Sequence, residues 1–312
     1  MQVPLFTLVF SVMKKFIIGI SLFFMTVMAI DWGYGVLSRF LITHSKGGLT
    51  KSVEYAAHEC EADLLIFGSS RAMHHYVPAV LSDSLGMSCF NCGMDGNGIL
   101  YLYSRYLMTI NRYTPKAIVY DVSGFDLAKD DHTKYLEFQK RYCDDPGVMD
   151  VIRDINPNEP WKLKSNLYRY NGRCLAMMLL DYVHPSHNVD STGYKPLSGV
   201  MNYEPAVSVH EKTAPEWDPM KKDYFRKLAE SCREKGIKLI IAYSPQYKAK
   251  SSDYYLEVTG FCKENGIPVI DYFATDYFNA HRELFEDRVH MNDSGAREYT
   301  NMIVKEIREI IG

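Results

Sequence analysis

The chain has 312 residues, 47% of them hydrophobic and 23% charged, with a formal net charge of −3. This is a globular composition, long enough for one large α/β domain or two small ones, and it excludes a disordered chain as the default. The small net charge and the lack of a long basic run remove the electrostatic footprint of a nucleic-acid binder, so no nucleic-acid partner is expected.

Near the N-terminus, Lys14-Lys15 precede an uncharged run over residues 16–30, followed by Asp31, Trp32, Tyr34, Val36 and Leu37. With Met13 as the start, this is a basic segment followed by an apolar one, the pattern of an exported chain. Val27-Met28-Ala29 offers a signal-peptidase site. Alternatively the apolar stretch runs on through Leu37, reaches the ~20 residues that cross a bilayer, and keeps Trp32 and Tyr34 as interfacial anchors. We read it as an uncleaved single-pass anchor in the inner membrane, with the rest of the chain in the periplasm or exterior. Residues 1–45 are then anchor and connector, and residues 46–312 the globular domain.

Residues 37–61 read as a connector broken at Lys46-Gly47-Gly48, and strand–helix alternation starts at Asp63. Leu64-Leu65-Ile66-Phe67 is the apolar run of a strand buried on both faces of a parallel sheet, ended by Gly68-Ser69-Ser70. A helix follows with Pro78 in its first turns and Val80, Leu81 and Leu85 at helical spacing. Residues 87–91 form the second strand, Gly93, Gly96 and Gly98 a turn, residues 99–111 a helix, and residues 116–122 the third strand, ended by Ser123-Gly124. From Asp126 to about Pro215 the chain is polar, aromatic and turn-rich, which suggests an inserted helical or irregular subdomain or lid. Alternation resumes with a helix over 218–235, a strand over 237–243, a helix over 254–264, a strand over 267–271 and an amphipathic helix after Asp293. The expected architecture is a three-layer, flavodoxin-like α/β fold, a parallel sheet with helices on both faces.

The seven cysteines (Cys60, Cys89, Cys92, Cys143, Cys174, Cys232 and Cys262) lack the spacing of a disulfide-stapled scaffold. Cys89-x-x-Cys92 has no second pair at a matching distance, so no metal is expected. In an exported domain, Cys143 and Cys174 are the first pair to test for a bridge.

A strand, a tight turn and a helix at the carboxyl edge of an open α/β sheet leave the Ser70 hydroxyl exposed where such sheets bind ligands. Serine is a poor nucleophile until a base takes its proton. Asp287-Arg288-Val289-His290, just before the last helix, puts a carboxylate three residues from an imidazole, so one ring nitrogen can be held while the other points outward. Around these, Arg71 can hold an anionic or sugar group or form an internal salt bridge. His74 and His75 can line the pocket or lie on the surface, and Gln246 in Ser244-Pro245-Gln246-Tyr247 offers an amide at the same edge.

Gly68-Ser69-Ser70, Asn91-Cys92-Gly93-Met94-Asp95-Gly96 and Asp287-x-x-His290, in this order and spacing, resemble the SGNH (GDSL-type) hydrolase superfamily over roughly residue 63 to the C-terminus. The resemblance implies Ser70 as nucleophile, His290 as base, Asp287 as its orienting carboxylate, and the backbone N–H groups of Ser70 and Gly96 as an oxyanion hole. Ser69 stands where the family has an aspartate. The third block departs from the family, which carries an Asn after a Gly; here Ser123-Gly124-Phe125-Asp126 follows the strand, leaving either Asn97, Ser123 or Gln246 to supply a third donor or a hole of only two, with lower hydrolytic power. The implied function is a serine esterase acting on O-acyl, above all acetyl, esters of an extracytoplasmic glycan, without cofactor. A carbohydrate O-acyltransferase using the same residues and a membrane partner as acyl donor, and a non-catalytic envelope scaffold or glycan-binding protein, remain as alternatives. Trp161, Tyr168, Tyr170, Tyr182, Tyr194 and Trp217 in and beside the insertion suit stacking on sugar rings or building small cores.

Overall fold

The computed structural model describes residues 5–184, 188–205 and 216–312. Two helices, α1 (Leu5–Thr43) and α2 (Gly48–His58), precede β1 (Leu64–Gly68), α3 (Ser70–His75), α4 (Pro78–Leu85), β2 (Cys89–Asn91), α5 (Ile99–Ile110) and β3 (Ala117–Asp121). Short helices follow: α6 (Leu136–Gln139), α7 (Pro146–Ile155), α8 (Glu159–Lys162), α9 (Asn166–Arg169) and α10 (Arg173–Val183). The chain ends with α11 (Pro219–Glu234), β4 (Lys238–Tyr243), α12 (Leu256–Glu264), β5 (Val269–Asp271), α13 (Asp276–Ala280) and α14 (Asp293–Ile311).

The five strands form one parallel sheet in the order β2-β1-β3-β4-β5. Every residue of β1 and β3 is buried, so both faces of these central strands are apolar, as parallel strands between two helical layers require. Leu65, Phe67, Ile118, Tyr120 and Ile241 share one core with residues of α2, α5, α11 and α12. Their neighbours Leu64, Ile66, Val119, Ile240 and Ala242 share the other with α3, α4 and α14. The result is the expected three-layer, flavodoxin-like arrangement. Because the chain leaves β1 for β2 on one side and returns across it to β3 on the other, a crevice opens at the carboxyl ends of β1 and β3. Ser70 lies at that point.

Two helix starts show how polar residues set the frame. Asp218 accepts from the N–H groups of Met220 and Lys221, both at 3.1 Å, and opens α11. Asn292 accepts from the N–H of Gly295 at 3.1 Å and opens α14, while its amide donates to the carbonyls of Glu283 and Gly199. Each such cap contributes ~1 kcal/mol.

The structure departs from expectation in four places. The connector expected over 37–61 is helical: α1 continues to Thr43, and α2 forms because Val53, Ala56 and Ala57 make an apolar stripe that joins the main core. The single helix expected after Ser70 is two helices, since Val77 is extended (φ −101, ψ 99) before Pro78, and a proline disfavours helical geometry at the residue before it. The stretch expected as an insertion carries Tyr135, Leu136, Phe138, Val148, Val151 and Ile152 into the principal core, while residues 206–215 of it lie outside the described residues. Finally, Cys143 and Cys174 are free, as are the other five cysteines. The two thiols belong to different clusters, Cys143 to the main core and Cys174 to a small one with Leu41, Tyr170 and Met178. Burial pushes the Cys89 thiol up to about 11, since desolvation disfavours the thiolate.

Residues 9–30 of α1 are exposed, and this helix is long and apolar enough to cross a membrane.

Candidate active site

Ser70 begins α3 directly beyond β1. The turn that presents it depends on Gly68, whose φ is +150; a Cβ there would lie 2.6 Å from the Ala72 Cβ and 2.7 Å from the Asp121 carbonyl oxygen. Only glycine lets the chain pass from strand to helix so close to β3. The loop after β2 is tied to the same place, Met94 N–H donating to the Gly68 carbonyl at 3.1 Å.

From the other end of the chain, the loop over 285–291 closes on itself through an antiparallel bridge between Phe285 and Met291 and a bond from Glu286 N–H to the His290 carbonyl at 3.0 Å. Within it, Asp287 Oδ1 accepts from the N–H groups of Val289 (2.7 Å) and His290 (2.8 Å), and Oδ2 accepts from His290 Nδ1 at 2.8 Å. A carboxylate only accepts, so Nδ1 carries the proton and Nε2 is left as an acceptor. Nε2 lies 2.8 Å from Ser70 Oγ. Burial acts to raise the Asp287 carboxyl, but the imidazole and the two backbone N–H groups outweigh it and hold it down at about 2. Residues 220 positions apart thus form one continuous hydrogen-bonded chain, hydroxyl to imidazole to carboxylate. Such a chain can take a proton from the serine as its oxygen attacks and return it later to a leaving group.

Neither His74 nor His75 is a surface residue. His75 is fully buried; its Nε2 accepts from Met291 N–H at 3.0 Å and its Nδ1 donates to Ser244 Oγ at 2.9 Å. Burial, with the nearby charges of His290, Arg71 and His74, pushes its basicity well below the ordinary histidine value, so it holds both bonds as a neutral ring. His74 packs edge-on against His290, ring centroids 5.6 Å apart, and bonds the Lys195 carbonyl (2.7 Å) and Asp95 Oδ1 (3.0 Å). Asp95 also pairs with Lys195 Nζ at 3.1 Å.

Lys195 belongs to a strap that crosses the sheet rim beside the site. Thr192 accepts from Asn91 N–H (2.8 Å), Lys195 N–H donates to the Met73 carbonyl (3.2 Å), Leu197 accepts from Asp293 N–H (2.8 Å), and Met201 N–H donates to the Phe285 carbonyl (2.7 Å). Both the strap and the positioning contact of His75 escaped the sequence reading. For His75 a signal existed in its place five residues after Ser70; for the strap there was none, since its bonds run through the backbone.

The expectations for Arg71 and Ser123 and for three of the aromatic residues are corrected, and the other candidates are placed. Arg71 does not face a ligand: it is buried, donates to the carbonyls of Val122 (2.5 Å) and Ser244 (3.2 Å) and to Tyr255 Oη (2.9 Å), and lies 3.3 Å from the Asp121 carboxylate. The reason is its position beneath the rim, where the ends of β3 and β4 and the Tyr255 hydroxyl present acceptors. Ser123 gives its hydroxyl to Asp126 Oδ2 at 3.0 Å, and that carboxylate also accepts from Ile99 N–H at 2.6 Å, so the third block braces the start of α5. Asn97 is buried and its amide donates to the Asp95 carbonyl at 2.9 Å. Gln246 is half-buried, and its N–H donates to the Phe273 carbonyl at 3.1 Å. Gly96 has φ +69, and a Cβ there would meet nothing within 4 Å, so its backbone conformation, not crowding by the protein, calls for glycine. Tyr170, Tyr194 and Trp217 are buried, Tyr194 bonding Asp293 and Trp217 the Asp126 carbonyl, which removes them from any sugar-stacking surface.

No family model matches this chain, and no curated protein does. Among solved structures it is similar to a proposed acylhydrolase from Bacteroides fragilis (11% identity over 85% of this chain and 98% of that one, TM-score 0.42). It is also similar to a proposed lipolytic protein of the G-D-S-L family from Desulfitobacterium hafniense (12%, 78% and 97%, TM-score 0.42) and to an acetyl xylan esterase (14%, 78% and 99%, TM-score 0.40).

Proposed function

We propose that this chain is an SGNH-type serine esterase, held at a membrane by α1 and acting on O-acyl esters of an extracytoplasmic glycan. The observation that carries the chemistry is the pair of 2.8 Å contacts joining Ser70, His290 and Asp287. In this reading Ser70 Oγ attacks the ester carbonyl while its proton passes to His290 Nε2, and Asp287 steadies the imidazolium that forms. The negative oxygen of the tetrahedral intermediate is met by the N–H groups of Ser70 and Gly96, each such donor lowering the barrier by ~3–4 kcal/mol. Collapse breaks the bond to the alcohol, which leaves with the proton from His290. Water then gives its proton to His290, attacks the acyl-serine and releases the acid. The extracytoplasmic setting follows from reading α1 as an anchor whose lysines stay on the cytoplasmic side.

One observation favours a second reading, a carbohydrate O-acyltransferase. Ser123 and Asn97, two of the three side chains that could have supplied a third donor, bond Asp126 and the Asp95 carbonyl inside the fold, which favours an oxyanion hole of two backbone donors and a weaker hydrolase. A sugar hydroxyl would then replace water in the second half of the cycle.

The test uses the full chain in detergent, with a fluorophosphonate probe and p-nitrophenyl acetate. Covalent labelling and acetate release by the wild type, both lost in Ser70→Ala, are expected. Labelling with turnover that rises on adding a sugar acceptor selects the transferase, and an unlabelled wild type refutes both enzyme readings in favour of a binding or scaffold protein.

A further inference from the structure

The outward face of α10 is apolar where a helix on a water-facing surface would be polar. Ala176, Leu179, Leu180 and Val183 are exposed and fall at i, i+3, i+4 and i+7, one stripe of the helix, while Cys174, Met178 and Asp181 are buried on the other side. In the same stretch of chain Trp161 is 72% exposed and Leu167 40%. The Lys164 ammonium sits 3.7 Å above the Trp161 ring, a basic group paired with the aromatic type that concentrates at lipid headgroups.

What lies against this face follows from how α9 and α10 grip α1. The Asp31 carboxylate accepts from Ser165 Oγ (2.5 Å), from both nitrogens of Asn166 (3.0 Å each) and from Leu167 N–H (2.9 Å). Tyr34 donates to the Tyr170 carbonyl at 3.1 Å, and the Phe40 and Tyr182 rings lie 5.8 Å apart. Counting from Phe16, the first residue after the lysines, the ~20 helical residues that cross a hydrocarbon layer of ~30 Å end near Gly35. Asp31 and Tyr34 fall inside that count. Phe40 lies five residues beyond it, ~8 Å at 1.5 Å per residue, about the depth of one headgroup layer. The segments that hold these three residues therefore straddle the boundary of hydrocarbon and headgroups, from ~6 Å inside the count to ~8 Å beyond it, and the Asp31 charge there is matched by four donors, as a residue withdrawn from water requires.

We propose that the exposed apolar residues flanking the grip on α1, Trp161 and Leu167 on α8 and α9 and Leu179, Leu180 and Val183 on α10, rest on the lipid leaflet from which α1 emerges, giving the protein a second membrane contact around its anchor. This rests on the reading of α1 as a membrane anchor. The apolar stripe is then solvated by lipid, and the short helices α8 to α10 have a task separate from the rim of the sheet.

The full chain carrying Trp32→Phe, reconstituted into phosphatidylcholine vesicles, retains Trp161 and the buried Trp217. Lipid brominated near the headgroup is expected to quench roughly half of the remaining emission, with that component lost when Trp161→Phe is added. Iodide on both sides of the bilayer is expected to quench it poorly. Quenching of Trp161 by iodide and not by brominated lipid would place the face in water and overturn the proposal. Protection from both quenchers would mean that a second copy covers it, which overturns it equally. A chain that fails to float with the vesicles would instead remove the anchor reading itself.

Discussion

The imidazole of His75 accepts a hydrogen bond from the backbone N–H of Met291 at 3.0 Å, and so fastens the helix that begins with Ser70 to the loop that carries His290. His75 touches neither the hydroxyl nor the carboxylate of the relay; it sets their spacing. A displacement of about 1 Å at a reacting pair costs ~100-fold in rate. His75→Phe is therefore expected to lower kcat on p-nitrophenyl acetate by about 10- to 100-fold with KM changed far less. His75→Gln, which keeps an acceptor, should recover part of the loss. Steady-state kinetics on both variants, with melting curves to confirm folding, checks this.

Asp287 links acidity to stability. Its carboxyl is held at about 2, below the ordinary value, so its contribution is fully present above pH ~4 and is lost as pH falls through 2. The side chain is 42% exposed, and solvent screening leaves about 1 kcal/mol. Asp287→Asn should be less stable than the wild type by about that amount at pH 6 and nearly equal to it at pH 2. Urea unfolding at the two pH values gives the comparison. At pH 7 the same variant should lose ~10⁴ in kcat, because the imidazole is free to adopt the wrong tautomer.

Arg71 is predicted to matter for folding. Removing its charge in Arg71→Met leaves Asp121 buried without its cation, which costs about 3–5 kcal/mol. Adding Asp121→Leu should restore much of that stability. Urea midpoints for the single and double variants decide it, and a lone Arg71→Met that is as stable as the wild type would restore the case for a ligand contact.

The strap beside His290 is expected to set substrate preference. Lys195 and Asp95 are partly exposed and both bond His74, whose ring packs edge-on against that of His290; one is a donor and the other an acceptor. Exposed pairs of this kind add only ~0–1 kcal/mol to stability. Lys195→Met should therefore melt close to the wild type while its kcat/KM ratio, acetylated sugar over p-nitrophenyl acetate, falls several-fold. An unchanged ratio would make the pair structural.

Much of the sheet was legible because its signals are local. Buried parallel strands read as short apolar runs, and Gly68, Ser123 and Asp293 mark where runs end or helices begin. The residues of the relay were nameable because the Asp287–His290 spacing is itself local and only Ser70 had to be found far away. What stayed hidden depends on partners distant in sequence. Nothing near Arg71 foretells that two strand ends and a tyrosine will surround it, and nothing in residues 190–201 foretells a strap, since its backbone bonds to Asn91, Met73, Asp293 and Phe285 are made by main-chain groups. The middle stretch looked like a separate lid because its helices are short, yet their apolar sides meet the same core as α5.

The unbroken course of α1 into its clamp at Asp31 has a mechanical result. A flexible tether would let the domain sweep a broad volume above the bilayer, with an effective concentration set by its length. With α1 as the anchor proposed above, a stiff rod of 39 residues gripped by the body it carries would fix height and tilt instead, confining diffusion to the plane of the membrane and rotation about its normal. Such a protein works at one stand-off distance, and a target must come to that altitude to be reached.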